Sequence, residues 1–277
     1  MNYFFDCFGK DASELKRKKL FLFDMDGTIY NDGVVFDGTI DLLNKIKENK
    51  GKYVFLTNNS SKSVQDYVDR LSGLGIEVDY NNFCTSSQVT ENYLKKNYKN
   101  SKIYCQGTIA FIRELKAKDI NITTEVSDDV DVVVVGFDTE LTSEKIRNTC
   151  QLLMRGVPFI ATNKDLVCPV SFGYIPDCGS ICMMIENATG RKPIYLGKPE
   201  KEMVDFIQGK FDFSADETVV IGDRLYTDIL TGVNSGITSI CVLTGESCID
   251  DIVKGEIKPT FTFESVKQLL KIFQGDN

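Results

Sequence analysis

The sequence predicts an α/β protein with a doubly wound, mostly parallel sheet, and three observations carry that reading. Short apolar runs of strand length recur along the 277 residues. Segments with helical periodicity separate them, and several runs end in small polar or acidic residues just before a helix. Ligands in open α/β sheets bind outside the carboxyl ends of the strands, so those run ends are where chemistry is expected.

Along the chain, 20–23 (Leu-Phe-Leu-Phe) is continuously apolar and reads as a buried strand. Helical spacing follows at 38–49, and 53–57 is again an apolar run. Periodicity returns at 63–74 and 87–96, then a strand at 102–105 and a helix at 109–117. The valine-rich 130–136 and the run 159–162 read as strands on either side of a helix at 143–154. A helix at 179–189, a strand at 194–196, a helix at 200–211 and a strand at 218–221 come next. A helix at 227–235 and strands at 239–243 and 260–263 complete the series.

Composition narrows the chemistry. The net charge of −8 argues against a general nucleic-acid binder, although local cations and backbone amides can still build a phosphate site. There is no histidine, which removes Ser-His-Asp and Cys-His nucleophiles, His-ligated zinc and imidazole acid/base catalysis. Carboxylates, lysine, hydroxyls, thiols or an oxygen-bound metal remain. Nine cysteines form no C-x-x-C pair and read as free thiols of a reducing cytoplasm. Cys178 and Cys182 share a helix face, where packing is favoured over metal binding. No stretch approaches a membrane span, and residues 1–19 lack the order of a signal peptide. The aromatic residues Tyr3, Phe4, Phe5 and Phe8 are expected to dock on the chain's own surface.

Asp24-Met25-Asp26-Gly27-Thr28 follows the first strand. Two carboxylates this close repel unless they share a cation or a proton, so the pair suggests a metal site, an acid/base pair, or both. An EF-hand is excluded by Ile29 at the sixth position and Val35 at the twelfth. The run 54–56 leads into Thr57-Asn58-Asn59-Ser60, whose hydroxyl, amide and N–H groups suit a phosphate; Asn59 or Ser60 could equally cap the next helix. Gly197-Lys198-Pro199 sets a lysine between a strand and a helix, and Pro199 excludes a Walker A loop. The strand at 218–221 runs through Gly222 to Asp223, with a second acid at Asp228. Gly222 is expected to allow close backbone approach, Thr28 to bond the Asp26 backbone, and Arg224 to pair with a surface acid.

These strand ends, in this order, resemble the four motifs of the haloacid dehalogenase superfamily. Asp24 and Asp26 match the first, Thr57 the second, Lys198 the third, and Asp223 with Asp228 the fourth. The segments 57–60, 161–165 (Ala-Thr-Asn-Lys-Asp), 190–193 (Gly-Arg-Lys-Pro) and 222–229 narrow the resemblance to the NagD-like p-nitrophenylphosphatases. It runs from about residue 19 to the C-terminus; 1–18 form an extension. The resemblance implies a Rossmann-like core with an α/β cap inserted between the second and third motifs. Thr57 and Lys198 are 141 positions apart (198 minus 57), far more than one crossover helix needs. The expected division is a core at 1–98, a cap at 99–190 and the rest of the core at 191–277.

The resemblance also implies roles. Asp24 is the nucleophile that forms an aspartyl-phosphate, and Asp26 the acid and then the base. Mg²⁺ is held in octahedral geometry by Asp24, Asp223 and the backbone carbonyl of Asp26, with Asp228 acting on a metal-bound water or on Lys198. Thr57, Asn58, Asn59 and Lys198 bind the phosphate. Cap residues Asn163, Asp165, Cys168 and Asp177, with Asp138 and Tyr174, are candidates for specificity; a helix N-cap is the simpler reading of Asp177. Cys168 stands where some relatives place a substrate-contacting histidine. The implied partner is a small phosphorylated metabolite (a sugar phosphate, a nucleoside monophosphate), with neither nucleic acid nor membrane, and a homodimer is an allowed assembly. The alternatives are a phosphotransferase or phosphomutase of the same superfamily, a receiver-like phospho-accepting module, and a non-catalytic binder of phosphorylated ligands. Asp26 and the cap argue against the receiver, and the intact acids against the binder.

Overall fold

The structure, a computed structural model, describes residues 4–170 and 172–274. In chain order the strands are β1 (Leu20–Phe23), β2 (Tyr30–Asn31), β3 (Val34–Val35), β4 (Lys52–Thr57), β5 (Phe83–Thr85), β6 (Ile103–Gln106), β7 (Ile122–Thr123), β8 (Val132–Val135), β9 (Phe159–Ala161), β10 (Val167–Val170), β11 (Gly173–Pro176), β12 (Ile194–Tyr195), β13 (Thr218–Gly222), β14 (Thr238–Val242) and β15 (Phe261–Phe263). The helices are α1 (Thr39–Glu48), α2 (Val64–Gly73), α3 (Ser86–Asn97), α4 (Ile109–Lys116), α5 (Ser143–Leu153), α6 (Cys178–Thr189), α7 (Glu202–Phe211), α8 (Leu230–Ser235), α9 (Ile249–Lys254) and α10 (Val266–Gln274). Every strand and helix expected from the sequence is present.

The chain divides into two compact units. The first comprises the described parts of Met1–Thr57, Val68–Cys84 and Pro199–Asn277. Its sheet has the order β15-β14-β13-β1-β4-β5. β1 lies parallel to β13 on one side and to β4 on the other, with Phe23 opposite Ile221 and Phe55. The carboxyl ends of β13, β1 and β4 are therefore neighbours, at the place where the strand order reverses. All four β1 residues are buried, as a continuous apolar strand covered on both faces must be. The rings of Phe23, Phe55 and Phe83 follow one another at 6.2 and 5.6 Å and fill one side of the core.

Two helices of this unit were not anticipated, α9 and α10. The second buries Val266, Leu269, Leu270 and Ile272 and packs along α1, so its apolar stripe is a true helical face. The extension also belongs here. Cys7 N–H donates to the Thr262 carbonyl (2.8 Å), Thr262 N–H donates to Asp6 Oδ2 (3.1 Å), and Lys10 Nζ donates to the Thr260 carbonyl (2.9 Å). It docks on the chain's own surface, along β15, through backbone and polar groups, while Phe5 and Phe8 remain exposed. Tyr3 lies outside the described residues.

The second unit comprises Asn58–Tyr67 and Thr85–Lys198. Its sheet has the order β12-β9-β8-β6-β7, and all its pairings are parallel. β8 is four buried valines, the expected pattern for a strand covered on both faces. β12 pairs with β9, Ile194 opposite Ile160 and Tyr195 opposite Ala161, so this unit extends to Lys198. A two-stranded antiparallel hairpin, β10 with β11, projects before α6. Cys178 and Cys182, with Sγ atoms 4.0 Å apart, lie on the buried face of α6, in the core. All nine cysteines are free thiols.

Candidate active site

In the first unit, the chain leaves β1 at Asp24, whose N–H donates to the Ile221 carbonyl at 2.8 Å. It then makes one tight turn. Thr28 and Ile29 N–H groups donate to the Met25 carbonyl (3.1 and 3.0 Å), and Gly27 N–H donates to the Tyr30 carbonyl (2.9 Å). Gly27 has φ +81°, and a Cβ on it would stand 2.7 Å from Asp223 Oδ2, so both conformation and space require glycine.

Carboxylates of Asp24, Asp223 and Asp228 offer oxygens within 4.8 Å of one another. Three carboxylates this close need a shared cation or a shared proton. The donors are hard carboxylate oxygens, and this set suits Mg²⁺ rather than a thiolate-seeking metal. Asp223 is fixed by the Glu246 N–H (2.7 Å to Oδ2) and by the Thr28 hydroxyl (3.4 Å to Oδ1). Thr28 thus serves Asp223 and not the Asp26 backbone, because the turn directs its side chain inward, where it is fully buried. Asp228 sits in a π-turn, Leu225–Ile229, in which the Arg224 carbonyl accepts from both the Asp228 and Ile229 N–H groups. That extra residue per turn brings the Asp228 carboxylate back over Gly222, where a Cβ would overlap it. The Arg224 N–H donates to Asp228 Oδ2 at 3.2 Å. Sequence reasoning gave Asp228 an outer role; the structure sets its carboxylate in the acidic cluster itself.

Asp26 takes another direction. Its Oδ2 accepts from the Tyr30 hydroxyl (3.1 Å), and its Oδ1 lies 3.5 Å from Arg70 Nη2. Burial first, and then the Asp26 charge, push the Tyr30 phenol pKa upward, so this hydroxyl stays a donor at neutral pH. Arg224 Nε pairs with Glu246 Oε2 at 3.0 Å, as expected for this arginine. Burial opposes its charge, yet Asp24, foremost among the neighbouring anions, raises its pKa overall. Thr57 ends β4 as a buried polar residue.

The loop 244–247 also supports this site and was not anticipated. Thr244 Oγ1 donates to the Gly27 carbonyl (2.6 Å), and Ser247 N–H donates to the Asp223 carbonyl (3.1 Å). Its one signal was position: Thr244-Gly245 follows a strand end, as the other site segments do.

In the second unit, Asn58 is a clamp. Its Oδ1 accepts from Lys198 N–H (2.7 Å), and its Nδ2 donates to the Lys198 carbonyl (2.9 Å) and to Asp165 Oδ2 (3.1 Å). Both amide protons are committed, so the side chain expected to hold phosphate holds the backbone of Lys198 instead. Asn59 Oδ1 accepts from the Ser61 N–H and hydroxyl (2.8 and 2.7 Å), a local turn. The cap of α2 is neither Asn59 nor Ser60. Ser63 and Asp66 form it, exchanging bonds of 2.8 and 3.3 Å. Ser60 instead meets Thr162 (3.1 Å) and accepts from Phe137 N–H (2.9 Å).

The cap candidates separate by burial. Asn163 and Asp177 are buried and bonded to each other, Nδ2 to Oδ1 at 3.0 Å, and Asp177 Oδ1 also accepts from Cys178 N–H as the N-cap of α6. Asp138 is taken up by Lys145, 3.0 Å away. Three of the expected substrate contacts therefore scaffold the loops. Tyr174 is exposed and Cys168 half-buried, both on the hairpin β10–β11.

A parallel α/β core with acids gathered at neighbouring strand ends defines a class of phosphate-handling hydrolases. Two family models match the chain, one of haloacid dehalogenase-like hydrolases over residues 21–121 and one described as HAD-hydrolase-like over 195–269. The ribonucleotide monophosphatase NagD of Escherichia coli is 33% identical over 246 residues, covering 89% of this chain and 96% of its own. A solved 4-nitrophenylphosphatase from Thermotoga maritima superposes with a TM-score of 0.88 at 39% identity, over 93% of this chain and 98% of the other. A glycerol phosphate phosphatase from Mycobacterium tuberculosis, solved in complex with magnesium, gives 0.85 at 26% identity, over 93% and 78%. The chain belongs to the haloacid dehalogenase-like hydrolases, in their NagD-like p-nitrophenylphosphatase branch.

Proposed function

We propose that this phosphoric monoester hydrolase is Mg²⁺-dependent, works through Asp24 as nucleophile, and acts on small metabolites such as sugar phosphates and nucleoside monophosphates, with p-nitrophenyl phosphate as a test substrate. The observation that carries the reading is the gathering of Asp24, Asp223 and Asp228 while Asp26 turns to a hydroxyl donor. The two acids of the first motif thus stand in different surroundings, as a nucleophile and a proton carrier require.

Asp24 attacks phosphorus, the P–O bond to the leaving group breaks, and an aspartyl-phosphate forms. Asp26 gives its proton to the departing alcohol oxygen. It then takes a proton from water as that water attacks the same phosphorus, releasing inorganic phosphate and restoring Asp24. Asp24, Asp223 and Asp228, with the main-chain carbonyl of Asp26, would hold the ion. When bound, Mg²⁺ supplies positive charge that offsets repulsion between carboxylate and phosphate. Thr57 and Lys198 act on the phosphoryl oxygens, with Asn58 and Asn59 shaping that segment. Residues 99–190 act as the cap, and the hairpin residues Cys168, half-buried, and Tyr174, exposed, are its best placed specificity candidates. The free cysteines favour the cytoplasm. Among the described residues no helix is long and apolar enough to cross a membrane.

A panel of phosphate monoesters, assayed with purified protein and Mg²⁺, tests the reading. Release of inorganic phosphate from several metabolite esters, lost on chelation, supports it. Transfer of the phosphoryl group to an alcohol without net phosphate release would make the protein a phosphotransferase instead.

A further inference from the structure

We propose that Tyr30 and Arg70 are positioning residues for Asp26, holding its carboxylate in one orientation for proton transfer. The inference rests on the acid/base role given to Asp26 above and deepens it.

Asp26 is on the surface, its side chain 57% exposed, and nothing in a strand-end loop by itself fixes the rotation of such a side chain. The turn after β1 supplies the fixing. By closing Gly27 N–H onto the Tyr30 carbonyl it sets the Tyr30 main chain beside Asp26. The Tyr30 ring is fully buried, so its hydroxyl is a donor on a rigid mount. That hydroxyl meets Oδ2 at 3.1 Å, and Arg70 Nη2 stands 3.5 Å from Oδ1. Arg70 is steadied in turn by the same ring, its guanidinium carbon 4.6 Å from the centroid. One residue thus holds one oxygen directly and braces the group that faces the other.

Stability does not account for the arrangement. An exposed, single-contact Arg–Asp pair contributes little to folding. Its geometric consequence is larger: a carboxylate held at both oxygens keeps its plane, and proton transfer depends steeply on such placement. Each carboxylate oxygen has two lone-pair positions, so a hold at both still leaves one on each for the proton in transit.

The test uses the full chain with Mg²⁺ and two substrates, glycerol phosphate and p-nitrophenyl phosphate. An alkoxide leaves only with a proton, whereas p-nitrophenolate leaves without one, so the alkyl-to-aryl ratio of kcat/KM isolates the acid step. Tyr30→Phe removes the hydroxyl and keeps the ring; Arg70→Gln removes the cation; Arg70→Lys keeps charge without the planar fork. We expect the ratio to fall about tenfold in Tyr30→Phe, a part of the hundredfold or more that a general acid supplies, and to fall less in Arg70→Gln, with partial rescue in Arg70→Lys. Should the buried Tyr30 variant misfold, the exposed Arg70 pair carries the same test. Equal losses on both esters, or an unchanged ratio, overturn the positioning role while leaving the phosphatase reading intact. Wild-type protein inactive on both esters overturns that reading, and this inference with it.

Discussion

Asn58→Ala is the most informative single change in the second unit. It deletes three hydrogen bonds, of 2.7, 2.9 and 3.1 Å, and two of them leave the N–H and C=O of Lys198 without that partner. Lys198 is buried, so water replaces the lost bonds poorly. A buried polar group stripped of its partner costs roughly 1–3 kcal/mol, so two give about 2–6 kcal/mol. Against a total stability of about 5–15 kcal/mol that is a large fraction. Urea unfolding followed by circular dichroism is the assay, with kcat/KM for p-nitrophenyl phosphate measured alongside. We expect the midpoint to drop with the slope unchanged, and activity to fall more than tenfold as the lysine backbone loses its anchor. Asn58→Asp retains an acceptor for Lys198 N–H but sets an anion against Asp165, so it is expected to be no milder. Asp165→Asn retains an acceptor for Asn58 Nδ2 and should cost less than about 1 kcal/mol. An Asn58→Ala midpoint within error of wild type, with activity intact, would refute the clamp.

Two further outcomes follow from the structure. Glu114 has its pKa raised to about 7, by burial first and by Glu91 second. The folded state holds this proton more tightly than the unfolded chain, so the stability it gives is full below the ordinary carboxylate pKa and lost as pH rises through about 7. Melting temperature against pH should therefore show less decline over that window in Glu114→Gln, and an identical slope would contradict the assignment. Asp26→Ala should retain Mg²⁺ affinity by calorimetry while losing turnover, because only its main-chain carbonyl is asked to hold the ion; loss of metal binding would remove that division of labour.

Much of this was legible in the sequence because each signal was local. β1, β8 and β13 are continuous apolar runs, and a buried parallel strand has to read that way. The acids at 24, 26 and 223 follow such runs directly, so their place at strand ends came with the strands. The side-chain partners were not legible. Thr28 reaches Asp223 across 195 residues, and Asn58 reaches Lys198 across 140; such pairings arise only when the sheets assemble. Asp177 was legible as the N-cap of α6, but Asn163 looks like an open polar group in one dimension, and only the return of the chain into α6 brings it to Asp177. The closeness of Asp228 to Asp24 and Asp223 was hidden for a related reason: five residues after Asp223 an ordinary helical turn would point it elsewhere, and the π-turn at 225–229 was not signalled. The short hairpin β2–β3, two residues a side, is below the length at which alternation can be read.

In the proposed reaction Asp24 carries the phosphoryl group. The direct measurement is rapid acid quench of the protein turning over p-nitrophenyl phosphate with Mg²⁺, followed by peptide mass spectrometry. The expected result is a peptide spanning Asp24 heavier by one phosphoryl group, sensitive to hydroxylamine, and absent in Asp24→Asn, which should also be inactive. An Asp24→Asn protein that still turns over substrate, or a phosphoryl group found on another residue, would contradict it.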